Sequence, residues 1–240
     1  MRHRRLSNKF LTVVFFPIII LLLMFANFLI DQPSHQAFSQ QKMMQTPTGL
    51  GFDVSEHQQT INWKEIDNST YRFVIIRPGY GDAFTGAIDQ YFYENIKQVK
   101  QQGLKVGIYH YSYAMNAQEA KQEAEFVLSI LDGIQLDLPV YFDFEDPCHD
   151  TLSSNEMNKI ANAFLTTIKD SHYTTGIYAN SDRLSFLSSQ LLDQHDIWIA
   201  SYGKEPIYAG EIKLWQYTNQ GKIAGISTDV DINYGYYPSL

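Results

Sequence analysis

Beyond residue 49 the chain repeats one pattern: a short apolar or aromatic run, an interval, and another run. Eight such runs stand at residues 50–54, 73–77, 106–111, 139–144, 176–179, 197–201, 212–217 and 230–233. Most are continuous rather than alternating, as strands buried on both faces must be, and such strands belong in a parallel sheet covered by helices. Several intervals read as those helices. Ala117, Ala120, Ala124, Val127, Leu128 and Leu131 lie along one stripe of residues 116–131, and Gly133 follows as a terminator. Residues 87–102, closed by Gly103, and residues 154–169 carry the same periodicity. After Asn180 the intervals shorten and leave little room for full helices. The expected fold is of the α/β class, an irregular TIM-like β/α barrel with reduced helices in its second half. A doubly wound open sheet is the alternative, but no Gly-rich phosphate loop supports it.

Ahead of the barrel, residues 10–30 are uncharged and broken only by Thr12, Pro17 and Asn27. At about 1.5 Å per residue a helix of that length spans roughly 30 Å, the thickness of a bilayer's hydrocarbon core. Arg2, Arg4, Arg5 and Lys9 precede it, so residues 1–9 are expected to stay cytoplasmic and everything after Ile30 to lie outside. Residues 27–33 offer no convincing small-x-small cleavage site, which favours an uncleaved single-pass membrane anchor over a cleaved signal and secretion. Either exports the remainder. Residues 31–48, rich in Gln, Ser and Pro, read as a flexible linker, and residues 49–240 as one catalytic-size domain.

The overall charge of −8 hides an asymmetry. Without the four leading cations, 14 basic side chains face 26 acidic ones, a charge of −12. A part this acidic disfavours nucleic acid, whose phosphates need clustered Lys and Arg. Cys148 is the single cysteine, so no intrachain disulfide forms, and it reads as a partly buried small residue. The seven histidines lack ligand spacing, so neither a metal nor a cofactor is expected. Asp229-x-Asp231-x-Asn233 imitates the start of a calcium loop, but Tyr234 stands where Gly is needed and Leu240 where Glu is needed. Ser55 and His57 come without a nucleophile elbow, which argues against a serine hydrolase. No feature implies an obligate protein partner.

Barrel enzymes carry their reactive groups at the carboxyl ends of strands. Read there, the chain offers Asp53 after the first strand, Asp143 and Glu145 on the fourth, and Asp231 on the eighth. Strand residues two apart point the same way, roughly 6–7 Å apart, so Asp143 and Glu145 would both face the mouth while Phe144 packs behind. Two carboxylates confined in this way do not ionise freely, and one pKa rises. Glycoside cleavage needs that combination, a protonated acid beside an ionised partner.

The chain resembles glycoside hydrolase family 25, the CH-type lysozymes. The motifs that carry the resemblance are Gly51-Phe52-Asp53-Val54-Ser55-Glu56-His57-Gln58 with Ile61-Asn62-Trp63, Phe73 through Gly81, Gly107-Ile108-Tyr109-His110-Tyr111, the Asp143/Glu145 strand, Gly176-Ile177-Tyr178-Ala179-Asn180, Trp198-Ile199-Ala200, Trp215-Gln216-Tyr217 and Val230-Asp231-Ile232-Asn233. The resemblance implies a muramidase acting on the β-1,4 bond between N-acetylmuramic acid and N-acetylglucosamine in peptidoglycan. It implies Glu145 as general acid, Asp143 assisting the substrate's acetamido group, and Asp53 and Asp231 as flanking acids. Asp229 is the neighbour with which Asp231 would be confused, and the family pattern favours Asp231. Two departures, Gln59 and Pro78, flank the site and bear on loop shape. Arg77, Tyr111, Tyr178 and Trp215 are expected to line the groove, the rings stacking on sugar faces and Arg77 reaching a lactyl carboxylate. The other reading of Trp215 and Tyr178 is that their rings simply fill the barrel, and of Arg77 that it is a structural partner for a buried acid such as Asp53. The functional alternatives are a chitinase-like barrel hydrolase, disfavoured because Tyr141 stands where a further Asp is usual, and a non-catalytic wall-binding protein.

Overall fold

Runs of Val, Ile, Phe and Tyr buried on both faces hydrogen-bond side by side, and a computed structural model shows how they close. It describes residues 46–240. The strands in chain order are β1 (Gly49–Val54), β2 (Tyr71–Ile76), β3 (Gly79–Tyr80), β4 (Ala87–Ile88), β5 (Lys105–Tyr111), β6 (Val140–Asp143), β7 (Thr175–Asn180), β8 (Asp196–Ala200), β9 (Leu214–Gly221) and β10 (Val230–Gly235). Eight of them form a ring in the order β2-β1-β10-β9-β8-β7-β6-β5, closed where β5 pairs with β2. These eight are the eight apolar runs. Every neighbouring pair is parallel except those made by β10, which runs antiparallel to both β9 and β1. The eight residues between β9 and β10 are too few for the crossover a parallel partner needs.

Three full helices cover the first half of the barrel: α1 (Phe92–Gln101), α2 (Ala117–Leu131) and α3 (Ser154–Asp170). Asn116 starts α2 by accepting the Gln118 and Glu119 N–H groups at 3.0 Å each, and Ser153 starts α3 through a capping box with Glu156. Gly103 and Gly133 take positive φ just beyond α1 and α2, as their position predicts. In the second half only α4 (Ser181–Leu184) and α5 (Ser189–Leu192) remain, each a single turn. The expected helix over 87–102 begins five residues late. Its first two residues pair instead as β4 with β3, and the Asp89 carboxylate then takes the Tyr91 N–H at 3.0 Å.

Strand alternation divides the core into two layers. Outward residues such as Val106, Ile108, Val140, Phe142 and Ile177 pack with Ala120, Ala124, Val127, Ile160 and Phe164 of the helices. Inward residues Phe73, Ile75, Leu138, Tyr141, Tyr178, Trp198 and Leu214 fill the barrel. Among the described residues no helix is long and apolar enough to cross a membrane. The expected cytoplasmic segment (1–9), anchor (10–30) and linker as far as residue 45 lie outside the described residues.

Candidate active site

The inward parity of the strands continues above this apolar plug and there becomes polar. Asp53, next to last in β1, and Asp231, second in β10, are cross-strand partners. Asp231 therefore reaches the mouth from the amino end of its strand, because β10 is reversed. That corrects the expectation that all four acids sit at carboxyl ends. Asp143 closes β6, flanked in register by Tyr111 on β5 and Tyr178 on β7, and Glu145 lies two residues further on. Phe144 between them turns away and stacks on Phe142 with ring centroids 5.6 Å apart.

The acids form two pairs, each of one buried and one half-open member. Asp53 is 5% exposed and Asp143 4%, whereas Asp231 and Glu145 are partly open to the cleft. Burial, followed by the charge of Asp231, holds the Asp53 carboxyl well above the ordinary carboxylate range. Asp231 is raised by its own burial, an effect opposed by its hydrogen bond with Asp53. Burial and then Glu145 likewise raise Asp143 well above the usual range, and burial raises Glu145. Glu145 Oε1 accepts the backbone N–H of Asn180 at 2.9 Å, and Asp143 Oδ1 accepts that of Glu145 at 3.1 Å.

Two rings tie the pairs into one site. The Tyr178 phenol is pushed up by burial and then by Glu145 and Asp143, with Asp53 contributing less. The Tyr109 phenol is pushed up by burial and then by Asp53, with Asp143 and Asp231 adding to it and Arg77 opposing. The Tyr109 hydroxyl makes no hydrogen bond among the described residues, while its ring packs edge-on to Trp198 at 5.9 Å. Behind the acids, Gln216 and Asn233 each donate an amide N–H to Asp53 Oδ2, at 2.9 and 2.8 Å.

Asp53, Asp143, Glu145 and Asp231 thus converge, and Tyr178 and Tyr111 stand beside them. Tyr111 donates its hydroxyl to Asp146 at 3.1 Å and packs against Tyr113. Arg77 is 7% exposed and pairs with the partly exposed Glu56 at 3.0 Å and the buried Asp89 at 3.7 Å, and not with Asp53. Its Nε is buried without a partner among the described residues. Trp215 is not brought to the mouth. It sits on the outer face of β9, its ring 5.3 Å from Tyr234 and 6.1 Å from Tyr217, because Leu214 and Gln216 take the inward positions. Asp229 is exposed and pairs with Lys222 at the surface, away from the site.

Sequence reasoning passed over Tyr109, Gln216, Asn233 and Tyr202, whose hydroxyl donates to Gln216 Oε1 at 2.8 Å. The signal for Gln216 and Asn233 was parity: each is an amide at an inward strand position flanked by outward apolar or aromatic residues. Among the described residues no group of three or more His, Cys, Asp or Glu side chains is arranged to hold a metal ion.

The profile of the glycosyl hydrolases family 25 matches residues 52–226. Lysozyme M1 of Streptomyces globisporus is 28% identical over 201 residues, covering 76% of this chain and 66% of its own length. Among solved structures, the modular autolysin LytC of Streptococcus pneumoniae, in complex with a synthetic peptidoglycan ligand, superposes with a TM-score of 0.67 at 28% identity. That match covers 78% of this chain and 46% of LytC, so the chain spans about half of that protein. A family 25 glycosyl hydrolase from Bacillus anthracis superposes with a TM-score of 0.69 at 25% identity, over 85% of this chain and 94% of its own.

Proposed function

The chain belongs to family 25 of the glycosyl hydrolases, the family of these lysozymes, and on that premise we propose that it is a muramidase whose general acid is Glu145. Its substrate is the peptidoglycan glycan strand, and the bond cut is the β-1,4 link from N-acetylmuramic acid to N-acetylglucosamine. The observation that carries this reading is the pairing of a buried and a half-open acid on one strand end, opposite a second such pair. Burial raises both carboxyls in the cleft and the charge of Glu145 raises Asp143 further, which favours a proton between them, and Glu145 is the one open enough to present it to the bridging oxygen.

As the C–O bond breaks, positive charge grows on the anomeric carbon. Asp143 takes the acetamido N–H of the muramic residue and turns the amide oxygen toward that carbon. Glu145, now ionised, removes a proton from the water that completes hydrolysis. Asp53 and Asp231 hold negative charge on the opposite wall, which favours the cationic transition state over the neutral substrate. Tyr109, Tyr111 and Tyr178 supply hydroxyls and ring faces to the sugars. The apolar run at residues 10–30 would hold this domain outside the cytoplasmic membrane, against the wall it cuts.

The test is digestion of purified peptidoglycan and of chitin oligomers, with mass spectrometry of the new reducing ends. Muramic acid at those ends supports the proposal. Glucosamine ends would indicate a chitinase-like specificity, and no new ends from either polymer would indicate a binding protein.

A further inference from the structure

His149 follows Glu145 closely in sequence yet is 1% exposed, shut away from the cleft that the acids line. It belongs to a single 3-10 turn, Pro147–Thr151, beyond the end of β6. We infer that His149 is a positioning residue: as an imidazolium it bridges the carbonyls of Phe144 and Ala114, and so fixes the peptide that carries Glu145 against Asp143. This inference rests on the proposal that Glu145 is the general acid and Asp143 its partner.

The local sequence sets the ring in place. Asp146 opens the turn by accepting the Cys148 N–H at 2.8 Å, and Pro147, with no N–H to leave unsatisfied, takes its first position. The His149 N–H reaches back to the Asp146 carbonyl at 3.1 Å, and the ring comes to lie against Phe144 with centroids 6.3 Å apart. Nδ1 then stands 3.0 Å from the Phe144 carbonyl oxygen and Nε2 stands 3.1 Å from that of Ala114. A carbonyl oxygen only accepts. A neutral imidazole has one N–H and one lone pair, so one of the two contacts would set lone pair against lone pair. Both contacts are hydrogen bonds when both nitrogens carry hydrogen, and the buried ring has no bulk water to turn to instead.

The Phe144–Glu145 peptide is thereby held from both sides. Its C=O accepts from His149 Nδ1, and its N–H donates to Asp143 Oδ1 at 3.1 Å. A cation on the carbonyl side polarises the amide and strengthens that donation. Burial and the Glu145 charge raise Asp143, and this N–H is the largest influence opposing them. The clamp therefore favours Asp143 as the anion and leaves the proton to Glu145. Through Ala114 the same ring ties in the segment after β5, where the Ser112 N–H donates to the Asp143 carbonyl at 2.8 Å. Asp146 faces the imidazolium: burial raises its carboxyl, but hydrogen bonds from Cys148 and Tyr111 and the His149 charge bring it below the ordinary value. The other charges about the turn, Glu123 and Arg183, are engaged by Ser112 and Asp150.

The test compares the full chain with His149→Gln and His149→Phe. In wild type at pH 7 the assigned ¹⁵N signals of the His149 ring should show hydrogen on both nitrogens. Glutamine donates to one carbonyl but turns its own oxygen to the other, and phenylalanine donates to neither. On peptidoglycan, kcat should fall about tenfold in His149→Gln and about a hundredfold in His149→Phe, because an acid misplaced by about 1 Å costs up to that much. KM should stay within about twofold, since the sugar-binding groups are untouched. The Glu145 amide proton should move upfield in both variants as its bond to Asp143 weakens. A wild-type ring with one bare nitrogen overturns the inference, and that result does not depend on either variant folding. So does a folded His149→Gln with unchanged kcat, or one that loses binding and keeps kcat. If the ring and amide signals are as stated but wild type cuts no peptidoglycan, the clamp stands and the proposed function fails.

Discussion

Replacing Asp143 by Asn isolates what it costs the fold to bury a carboxylate for chemistry. Asp143 is 4% exposed, and its one direct stabilising contact is the Glu145 backbone N–H at 3.1 Å. Burial, and after it the neighbouring Glu145 charge, raises its pKa well above the ordinary value. The sign follows from linkage: a carboxyl raised on folding contributes stability that is complete below its unfolded pKa and is lost as pH rises through the folded pKa. With an unfolded value near 3.9 and about 1.36 kcal/mol per pH unit, the loss at pH 7 is at most about 4 kcal/mol. The Asn amide brings N–H groups without partners, a cost of about 1 kcal/mol. The Asp143→Asn protein should therefore be more stable than wild type at pH 7 by about 1–3 kcal/mol, and no more stable near pH 4. Urea unfolding at the two pH values measures both numbers. An equal gain at both pH values, or a loss at pH 7, would refute the argument that this acid is held against its own solvation.

Two further outcomes follow from the packing. A Cβ on Gly176 would lie 2.4 Å from the Tyr141 ring and 2.8 Å from the Asp196 carbonyl oxygen, so Gly176→Ala should cost about 1–3 kcal/mol in urea unfolding. An unchanged midpoint would show that the barrel interior yields more than its rings suggest. His195, hydrogen-bonded to the Thr175 hydroxyl at 2.7 Å, is lowered to about 4 by burial and then by Lys169. Its contribution to stability is complete above about pH 6.5 and is lost as pH falls toward 4. An imidazole NMR titration should place its midpoint near 4, and a midpoint near 6.5 would contradict the burial argument.

The barrel was legible because its strands are buried twice over: runs such as Phe73-Val74-Ile75-Ile76 leave no solvent face to disguise them. The reversal of β10 was not, since a run such as Val230-Asp231-Ile232-Asn233 reads alike in either direction and only the short connection before it fixes its sense. Residues 87 and 88 joined a hairpin because the pairing of β3 with β4 competes with the first turn of α1, a contest that helical periodicity does not see. The shared end of Asp53, Asp143 and Glu145 was legible from their place at the carboxyl ends of strands, whereas Asp231 reaches that end because β10 is reversed. Trp215 was misplaced by one residue of parity, the step that separates a ring on the outer wall from the amide of Gln216 inside. Gln216 and Asn233 carry no charge and were read only as positions within motifs, so their part emerged only from the closed ring of strands that sets them beside Asp53.

The central claim is that Glu145 hands a proton to the leaving oxygen. Its most direct measurement is the rate of Glu145→Gln on peptidoglycan beside its rate on an aryl muramic acid glycoside whose leaving group needs no proton. The account predicts a loss of about 10²–10⁴-fold on the polymer, with binding retained, and a much smaller loss on the aryl glycoside. Near wild-type cleavage of the polymer, or equal losses on both substrates, would contradict it.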